Sequence, residues 1–427
     1  MEPKVVLAGA GSTYFSVDFV TDLLSSEVTP IGTLTLFDVD PERLETTRGY
    51  ASRLAQERGS GYRIETTTDR HQAVEGADFV VASIGVGGLE ARQRDVEIAL
   101  KYGVVQTSAD TIGPGGISRG LRNVPAILDL ARDVEALAPE AWLLNYSNPL
   151  SVICRAVARS TRAKVVGLCP GISHWIHSAA REFGVDRSEI EVRVAGLNHC
   201  SWLTRFRVRG RDAYGDLRAG WVKSGADPVN LALEELYGFF AMPGGHHAAE
   251  FFPYFTRADG EYPASFGLKP WDAARVIPVR QAHLARVQRQ ASGELPLGAP
   301  GNRPRDLAVQ VIEEMIAKRN SLEFVNVPNR GSIPNLPEDA IVELVGTVST
   351  TGVRALHAAP LPRAIAAAMT LCVAEQELTV EAALTGDRRV ALQALMVNPA
   401  VGSIARAREM LNELLAAHAD HLPQFRK

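Results

Sequence analysis

The apolar residues in the first half of the chain follow two alternating periods. Short apolar runs such as Val5, Val6 and Leu7 are typical of parallel strands that are covered on both faces. Between such runs, apolar residues recur three and four positions apart, as at Phe15, Phe19 and Leu23, which indicates amphipathic helices. The alternation predicts an α/β fold with a doubly wound parallel sheet.

The same patterns place further elements along the whole chain. Strands are predicted at 34–38, 63–67, 78–84, 142–145, 164–168 and 340–348, and helices at 69–76, 304–318, 362–384 and 400–416. The stretch 212–300 departs from the α/β rhythm and is rich in Gly, Pro and aromatic residues. We therefore predict a first domain over 1–195 and a second α/β domain over 196–427, packed on the first.

Composition excludes several classes of protein. The 427 residues are 46% hydrophobic and 22% charged, which is ordinary for a globular protein, and the formal net charge is -4. We therefore expect no nucleic-acid partner and no membrane partner. The first predicted strand begins almost at once, so a cytoplasmic location is expected. The four cysteines show no framework spacing and are expected to be free thiols or ligands.

A glycine turn follows the first strand. Gly9 and Gly11 permit a tight turn, and Ser12 and Thr13 open the next helix, whose amides and dipole favour an anion. Tyr14 replaces the third glycine of the usual fingerprint. A tight turn without any ligand is the alternative.

Two features support a Rossmann-type dinucleotide site. Asp38 ends the second strand, where a carboxylate prefers the ribose of NAD to the phosphate of NADP. The alternative is that Asp38 caps the helix that begins at Pro41. Gly85 follows the fourth strand in a second glycine-rich turn, at a strand end where cofactors bind.

Polar residues follow in loops that often line sites. Arg92 lies in a charged cluster that is either a substrate contact or a solvated helix face. The glycine-dense stretch 106–123 contains Asp110, and Asn148 ends a strand, either to bind sugar hydroxyls or to cap the next helix. Cys169 and His199 stand at element ends, and both side chains suit a divalent ion. Two separately buried core residues are the alternative.

Seven segments give the chain a resemblance to glycoside hydrolase family 4, the NAD- and manganese-dependent glycosidases. They occupy residues 9–14, 110–116, 145–149, 167–169, 196–199, 247–250 and 326–339, in the family's order. The segment 238–255 is most similar to the branch of α-galactosidases and uronic-acid glycosidases.

The resemblance implies a lactate- or malate-dehydrogenase-like NAD domain and a metal held by Cys169 and His199. It also implies a reaction in which NAD+ takes hydride from C3 of the sugar, a base removes the C2 proton, and the aglycone leaves by elimination. Water then adds and the hydride returns, so no net oxidation occurs. A homodimer or homotetramer and a small glycoside substrate are implied as well.

The resemblance also assigns individual residues. Asp110, Asn148 and Asn198 would contact the sugar, while Tyr254 and His247 are candidates for the base. Tyr254 needs a nearby cation to lower its pKa.

One position departs from the family pattern. Pro170 stands where the branch has a histidine that assists departure of the aglycone. Either another residue serves, with His174 and His177 near in sequence, or the substrate needs less assistance, or the metal site differs from the family's. An anionic sugar, such as a uronide or a sulfoquinovoside, would suit the arginines at 92, 94, 119 and 122.

Two other functions remain open on sequence alone. A 2-hydroxy-acid or sugar dehydrogenase shares the nucleotide domain and a histidine near position 199, but it would accumulate NADH. A non-catalytic NAD-binding sensor would leave both cofactor and substrate unchanged.

Overall fold

The computed structural model describes residues 2–257, 265–298 and 303–426. Its thirteen strands form one mixed sheet in the order β10-β8-β7-β12-β11-β6-β5-β4-β1-β2-β3, with β13 beside β12 and β9 beside β8. The strands are β1 Lys4–Ala8, β2 Ile31–Phe37, β3 Gly61–Thr67, β4 Phe79–Ala82, β5 Trp142–Asn145, β6 Lys164–Gly167, β7 Ile190–Leu197, β8 Cys200–Val208, β9 Arg211–Asp212, β10 Ala241–Met242, β11 Ser321–Pro328, β12 Ile341–Ser349 and β13 Gly352–Ala355.

Helices cover both faces of this sheet. Those of the first half are Thr13–Leu24, Pro41–Arg58, Arg70–Val74, Gly88–Lys101, Gly113–Leu137, Leu150–Ser160 and Gly171–Phe183. Those of the second half are Tyr214–Ser224, Pro228–Tyr237, Gly245–Ala248, Pro253–Thr256, Ala273–Ser292, Leu307–Ala317, Arg363–Thr385, Arg388–Val397 and Ile404–Ala417. Within the described residues, no helix combines the length and the apolar character that crossing a membrane requires.

Strands β1 to β6 form the parallel half that the alternating pattern predicts. β1 pairs with β2 on one side and with β4 on the other, which makes the end of β1 the point where the strand order reverses. Val5, Val6 and Leu7 are completely buried, because helices cover both faces of the strand. Ligands of open α/β sheets bind outside the carboxyl ends of the strands at such a point.

The second half adds antiparallel strands to the same sheet. β11 lies against β6, β12 against β11, and β7 against β12, all antiparallel. Their register aligns Gly167, Asn326, Glu343 and Gly196 across four neighbouring strands. This row brings the hairpin turn between β7 and β8, which contains His199, to the edge where β6 ends.

The boundaries of the elements that were predicted hold to within about four residues, but other elements were missed. The helix Gly113–Leu137 begins inside the glycine-dense stretch 106–123, which was expected to be a loop, and the strand Ser321–Pro328 was not predicted. The closing helices were predicted at 362–384 and 400–416, and the structure has Arg363–Thr385 and Ile404–Ala417. A further helix, Arg388–Val397, lies between them. Asp387 begins it by accepting hydrogen bonds from the amides of Arg389 and Val390.

Candidate active site

The glycine turn has the shape of a phosphate cradle. Gly9 has φ 94°, and a Cβ at this position would overlap the carbonyl oxygen of Ser83 at the end of β4. A Cβ on Gly11 would lie 2.8 Å from the carboxylate of Asp38. Ser12 precedes the helix Thr13–Leu24, and its side chain caps none of the helix amides. The amides of Thr13 and Phe15 donate to the carbonyls of Gly11 and Ser12, so the amide of Tyr14 and the helix dipole are what remain to attract an anion.

Asp38 stabilises this turn directly. Its Oδ2 accepts a hydrogen bond of 2.8 Å from the amide of Gly11, and its Oδ1 accepts one of 3.0 Å from the amide of Asp40. Asp40, and not Asp38, caps the helix Pro41–Arg58 through the amides of Glu42 and Arg43. Each carboxylate oxygen of Asp38 retains a second lone pair, with which a ribose hydroxyl can bond.

The turn after β4 faces the helix Gly113–Leu137. A Cβ on Gly85 would lie 3.6 Å from Nη2 of Arg119, and Asn123 accepts a hydrogen bond of 2.9 Å from the amide of Val86. Burial lowers the pKa of Arg119 to about 10. The guanidinium therefore remains charged at neutral pH beside the glycine-rich turn.

Asn148 has a fixed backbone and a side chain without an internal partner. Its carbonyl oxygen accepts hydrogen bonds from Nε of Arg119 at 3.2 Å and Nδ2 of Asn123 at 2.6 Å. Its side-chain Oδ1 is buried and finds no hydrogen-bond partner among the described residues. Pro149, and not Asn148, occupies the cap position of the next helix. A buried amide oxygen of this kind fits a ligand that supplies the donor.

Asn145, by contrast, is committed to the fold. Its Nδ2 donates to the carbonyl of Ser147 at 3.0 Å, and its Oδ1 accepts from the amide of Ser147 at 3.1 Å. These two bonds hold the turn that carries Asn148.

Asp110, His199 and His247 form a cluster at the same edge of the sheet. One potential ligand atom from each lies within 4.8 Å of those of the other two. The rings of His199 and His247 stack with centroids 4.1 Å apart, and Nδ1 of His247 is buried without a hydrogen-bond partner in the described chain. One carboxylate and two imidazoles are a donor set that suits a divalent transition metal.

The protonation states of the cluster also suit a cation. Burial acts to raise the pKa of Asp110, but opposing charges, above all that of Arg92, hold this pKa well below its usual range. Burial lowers the pKa of His199, and burial together with His199 lowers the pKa of His247 to about 3. The cluster therefore presents one anionic and two neutral ligands at neutral pH.

The loop that carries Asp110 is held by a buried carboxyl group from a distant segment. Oε1 of Glu250 accepts hydrogen bonds from the amides of Ser108 at 2.7 Å and Ala109 at 2.8 Å. Ala109 has φ 55°, a conformation that costs free energy for a residue with a Cβ. Burial raises the pKa of Glu250 to about 7. Glu250 thus positions Asp110 through the backbone.

Cys169 lies beside this cluster in a polar pocket centred on Glu343. Glu343 accepts hydrogen bonds from Asn198 at 2.9 Å, Ser201 at 2.8 Å and Asn326 at 3.1 Å. Burial, followed by the charge of Glu343, raises the pKa of the Cys169 thiol to about 12. Coordination to a metal would be needed to deprotonate this thiol at neutral pH. Its role as a ligand beside His199 stays a prediction, as does substrate binding by Asn198, whose Oδ1 is buried and unpartnered in the described chain.

Arg92 connects the cluster to an aromatic surface. Its Nη2 lies 3.2 Å from Asp110 and 3.0 Å from Oγ of Ser108, and its guanidinium lies 4.4 Å from the ring centroid of Trp271. The guanidinium of Arg280 lies 4.9 Å from the ring centroid of Tyr14, on the exposed side of the glycine turn. Burial lowers the pKa of Arg280, and the positive charge of Arg92 lowers it further, while Tyr14 acts in the opposite direction.

The other predicted anion-binding arginines have different surroundings. Arg122 is buried and pairs with Asp95 through two bonds of 3.0 and 2.6 Å, while His418 bonds the same carboxylate at 2.8 Å. Arg94 donates to the carbonyl of Ala417 in the last helix. Because the charge of Arg122 is compensated by the buried Asp95, the expectation that Arg122 binds an anionic sugar loses its support, whereas the exposed Arg94 makes a single bond of 3.3 Å.

Two of the proposed proton-transfer residues also have surroundings unlike those expected. The hydroxyl of Tyr254 lies 2.9 Å from that of Tyr237, and burial, followed by this contact, raises the pKa of Tyr254. The lowered pKa that a base would need is therefore not provided. His174 is exposed on the helix Gly171–Phe183, and partial burial of its ring, opposed by the charge of Asp18, lowers its pKa.

Four residues of this site were given no role from the sequence, although Thr111 and Glu250 lie in two of the segments that carry the resemblance, 110–116 and 247–250. Thr111 bonds both Asp110 and His199, Glu250 supports the loop, and Trp271 and Arg280 flank Arg92 and the glycine turn. The density of Gly, Asp and Thr at 106–116 was a signal for Thr111. Trp271 and Arg280 carry no comparable local signal, because their contacts are with residues far away in the chain.

Comparison with known proteins decides the family. A model of family 4 glycosyl hydrolases matches residues 4–179, and a model of the C-terminal domain of the same family matches residues 194–401. The chain belongs to glycosyl hydrolase family 4. It is a glycosidase, as the resemblance of its motifs predicted.

Individual family 4 proteins resemble the chain over its whole length. An α-galactosidase of Bacillus subtilis is 30% identical, with 99% of this chain and 100% of that protein covered. An α-galacturonidase of the same bacterium is 29% identical, with 96% of each covered. A 6-phospho-α-glucosidase from gut microorganisms, solved in complex with NAD and glucose-6-phosphate, has a TM-score of 0.87, 25% identity and full coverage of both chains.

The likeness to a dehydrogenase concerns the fold alone. Malate dehydrogenase from Plasmodium falciparum superposes with a TM-score of 0.54 at 14% identity, covering 90% of this chain and 98% of that one. The predicted Rossmann-type sheet is confirmed.

Proposed function

We propose that this glycosidase depends on NAD+ and a divalent metal, with Mn2+ the expected ion, and cleaves an α-glycoside. The observation that carries the proposal is that the glycine turn and the Asp110–His199–His247 cluster share one edge of the sheet. The relative solved with NAD and glucose-6-phosphate supports the choice of cofactor.

The residues present fit both groups. Gly9 and Gly11 leave the space that a dinucleotide backbone needs, and Asp38 offers lone pairs to the ribose. The unpartnered Nδ1 of His247 and the neutral state of both histidines fit a metal ion. We assign the ion to Asp110, His199 and His247, with Cys169 as the further predicted ligand.

When bound, NAD+ accepts and returns a hydride at C3 of the sugar and the metal acts as a Lewis acid, so that hydrolysis proceeds by elimination and addition. The chain's own residues orient the sugar for these steps. Asn148 offers its buried Oδ1 to a sugar hydroxyl, and Arg119 and Asn123 hold its backbone. Glu250 fixes the loop of Asp110, which keeps the ligand geometry constant through turnover.

We further propose that the sugar carries a negative charge, as a uronide or sulfoquinovoside does. Arg92 and Arg280 act on each other as like charges, and Nε of Arg280 is buried without a hydrogen-bond partner in the described chain. An anion between the two would relieve this repulsion and fill the missing bond. The α-galacturonidase among the relatives supports this class of substrate.

The cofactor requirement is tested by release of 4-nitrophenol from aryl α-glycosides. The proposal predicts release only with both NAD+ and Mn2+, and none after chelation. Accumulation of stoichiometric NADH at 340 nm without release would instead identify a dehydrogenase.

The substrate charge is tested by Arg280→Met, assayed on 4-nitrophenyl α-galacturonide and 4-nitrophenyl α-galactopyranoside. We expect kcat/KM for the uronide to fall on the order of tenfold, equivalent to about 1.4 kcal/mol, with little change for the neutral sugar. Arg289→Met is the matched control, because Arg289 lies on the same helix but is exposed and pairs with Glu294. Equal losses on both substrates would contradict an anionic sugar.

A further inference from the structure

A second cavity of about 560 Å³ lies at the opposite edge of the sheet from the candidate active site. Trp142 and Lys164, which begin β5 and β6 and pair in register, form part of its wall. The glycine turn and Cys169 follow the carboxyl ends of these parallel strands. The cavity is therefore spatially separate from the residues assigned to NAD+, metal and sugar.

We propose that this cavity binds a small organic phosphate. The proposal is independent of the glycosidase mechanism, because it uses none of the residues placed in that site. The cavity volume lies within the range of about 300–1,000 Å³ that is usual for small-molecule sites.

The charge of the lining favours an anion. Among the described residues that line the cavity, four are cationic and none is Asp or Glu; these cations are Arg162, Lys164, Arg330 and Arg354. Glu135 neutralises Arg162 at 2.9 Å, and Glu140 neutralises Lys164 at 2.6 Å. Among the described residues, no carboxylate lies within 4.0 Å of the guanidinium of Arg330 or Arg354. Two cations thus remain uncompensated around one concave surface, which attracts anions.

The guanidinium groups of Arg330 and Arg354 favour phosphate among the possible anions. Arginine presents a planar fork of donors that matches the oxygens of phosphate, and two such forks suit a doubly charged group. Arg330 is held in the left-handed region at φ 45°, and its amide donates to the carbonyl of Glu338 at 2.8 Å. Strained backbone of this kind persists only where the surroundings fix it, so the direction in which this exposed side chain leaves the backbone is fixed.

The remaining lining is apolar and fits the organic part of such a ligand. The indole of Trp142 packs so closely on Gly352 that a Cβ there would lie 2.7 Å from the ring. Val165, Val327 and Val353 complete this surface. An aromatic or aliphatic body would lie on these side chains while its phosphate reached the two arginines.

The test is isothermal titration of the full chain with phenyl phosphate, in chloride buffer of constant ionic strength and in the presence of NAD+. The double variant R330N/R354A is expected to bind phenyl phosphate at least tenfold more weakly than the natural chain. Asparagine is chosen at 330 because it tolerates the left-handed conformation. Unchanged NAD+ affinity and melting temperature show that the variant is folded. The single variant R354A, on the edge strand β13, gives the same test with a smaller loss should the double variant not fold.

Two controls separate this site from other anion sites. Arg205→Ala removes an exposed arginine of β8 that pairs with Glu191, and it should leave binding unchanged. Arg92→Met removes the arginine beside Asp110, and binding at the second cavity should survive it. The proposal is overturned if the natural chain does not bind phenyl phosphate, if only Arg92→Met abolishes binding, or if Arg205→Ala weakens it as much as the double variant.

Discussion

Oγ1 of Thr111 lies 2.6 Å from Nδ1 of His199, and the same hydroxyl lies 2.9 Å from Oδ1 of Asp110. The Asp110 carboxylate is ionised and can only accept, so the single hydroxyl proton of Thr111 goes to Asp110. Nδ1 of His199 must then be the donor to Thr111. The tautomer of His199 is thereby fixed with the proton on Nδ1, which leaves the lone pair of Nε2 for a metal ion.

The first prediction concerns the hydrogen bonds that Thr111 makes to His199 and Asp110. Replacing Thr111 by valine keeps the shape but removes the hydroxyl that orients His199. Metal affinity should fall about 10- to 100-fold, the usual effect of losing such a supporting bond. Titration of the chain with Mn2+, followed by electron paramagnetic resonance, measures the change. Thr204→Val is the control, because Thr204 is exposed on β8. Unchanged affinity in Thr111→Val would show that Thr111 does not set the tautomer.

Asn148 and Asn145 should respond differently to truncation. The buried Oδ1 of Asn148 has no hydrogen-bond partner within the described chain, so Asn148→Ala should hardly change the melting temperature. The value of kcat/KM should fall on the order of 10²-fold, because a contact to the sugar is lost. Asn145→Ala breaks two buried bonds to Ser147 and should cost about 1–3 kcal/mol of stability. Thermal unfolding and steady-state kinetics on both variants provide the comparison. A large loss of stability in Asn148→Ala would mean that its role is structural.

Gly9→Ala should weaken NAD+ binding by on the order of tenfold or more. The new Cβ would overlap the carbonyl of Ser83, and the turn would have to open. Gly59→Ala is a matched control, since Gly59 also has positive φ, at 65°, but has open space around its α-carbon. This control should lose only about 1 kcal/mol of stability and retain NAD+ affinity. Fluorescence titration with NAD+ distinguishes the two, and equal affinities would argue against the glycine turn as the nucleotide site.

Stability should fall as the pH rises through the range in which buried Glu375 titrates. Glu375 accepts bonds from the amide of Gly113 and from Asn398, and burial raises its pKa to about 7 from an ordinary value of 4.5. The folded state therefore holds a proton that the unfolded state releases between these values. The resulting stabilisation is complete below about pH 4.5 and is lost as the pH approaches 7, a change on the order of 3 kcal/mol.

Thermal unfolding of the natural chain and of Glu375→Gln across this range measures the effect. The advantage of the natural chain over the variant should shrink steadily from pH 4.5 to pH 7.5. A constant difference would show that Glu375 does not change its protonation on unfolding.

The parallel half of the fold was predictable because its signals are local. The apolar run at β1 and the helical spacing of Phe15, Phe19 and Leu23 each occupy one short window. The antiparallel half was not predicted as part of the same sheet. Its pairing depends on contacts such as Asn326 with Gly167, which are distant in sequence and leave no periodic trace.

The site divides in the same way. Gly9, Gly11 and Asp38 follow from the order of strand, turn and acid, and Asn148 follows from its place at a strand end. The proximity of His247 to Asp110 could not be predicted in this way. It depends on the path that the segment between β10 and Tyr254 takes in the folded chain. Arg122 was expected to bind a ligand. No pattern in the sequence indicates that its guanidinium forms an ion pair with Asp95 instead.

The central claim is that hydrolysis proceeds by transient oxidation within the NAD+-dependent site. Its most direct test is the rate of cleavage of 4-nitrophenyl α-galacturonide that carries deuterium at C2, in the presence of NAD+ and Mn2+. The account predicts a primary isotope effect, no net formation of NADH, and exchange of the C2 hydrogen with solvent in the released sugar. Cleavage with no isotope effect at C2, at a rate that does not depend on NAD+, would contradict it.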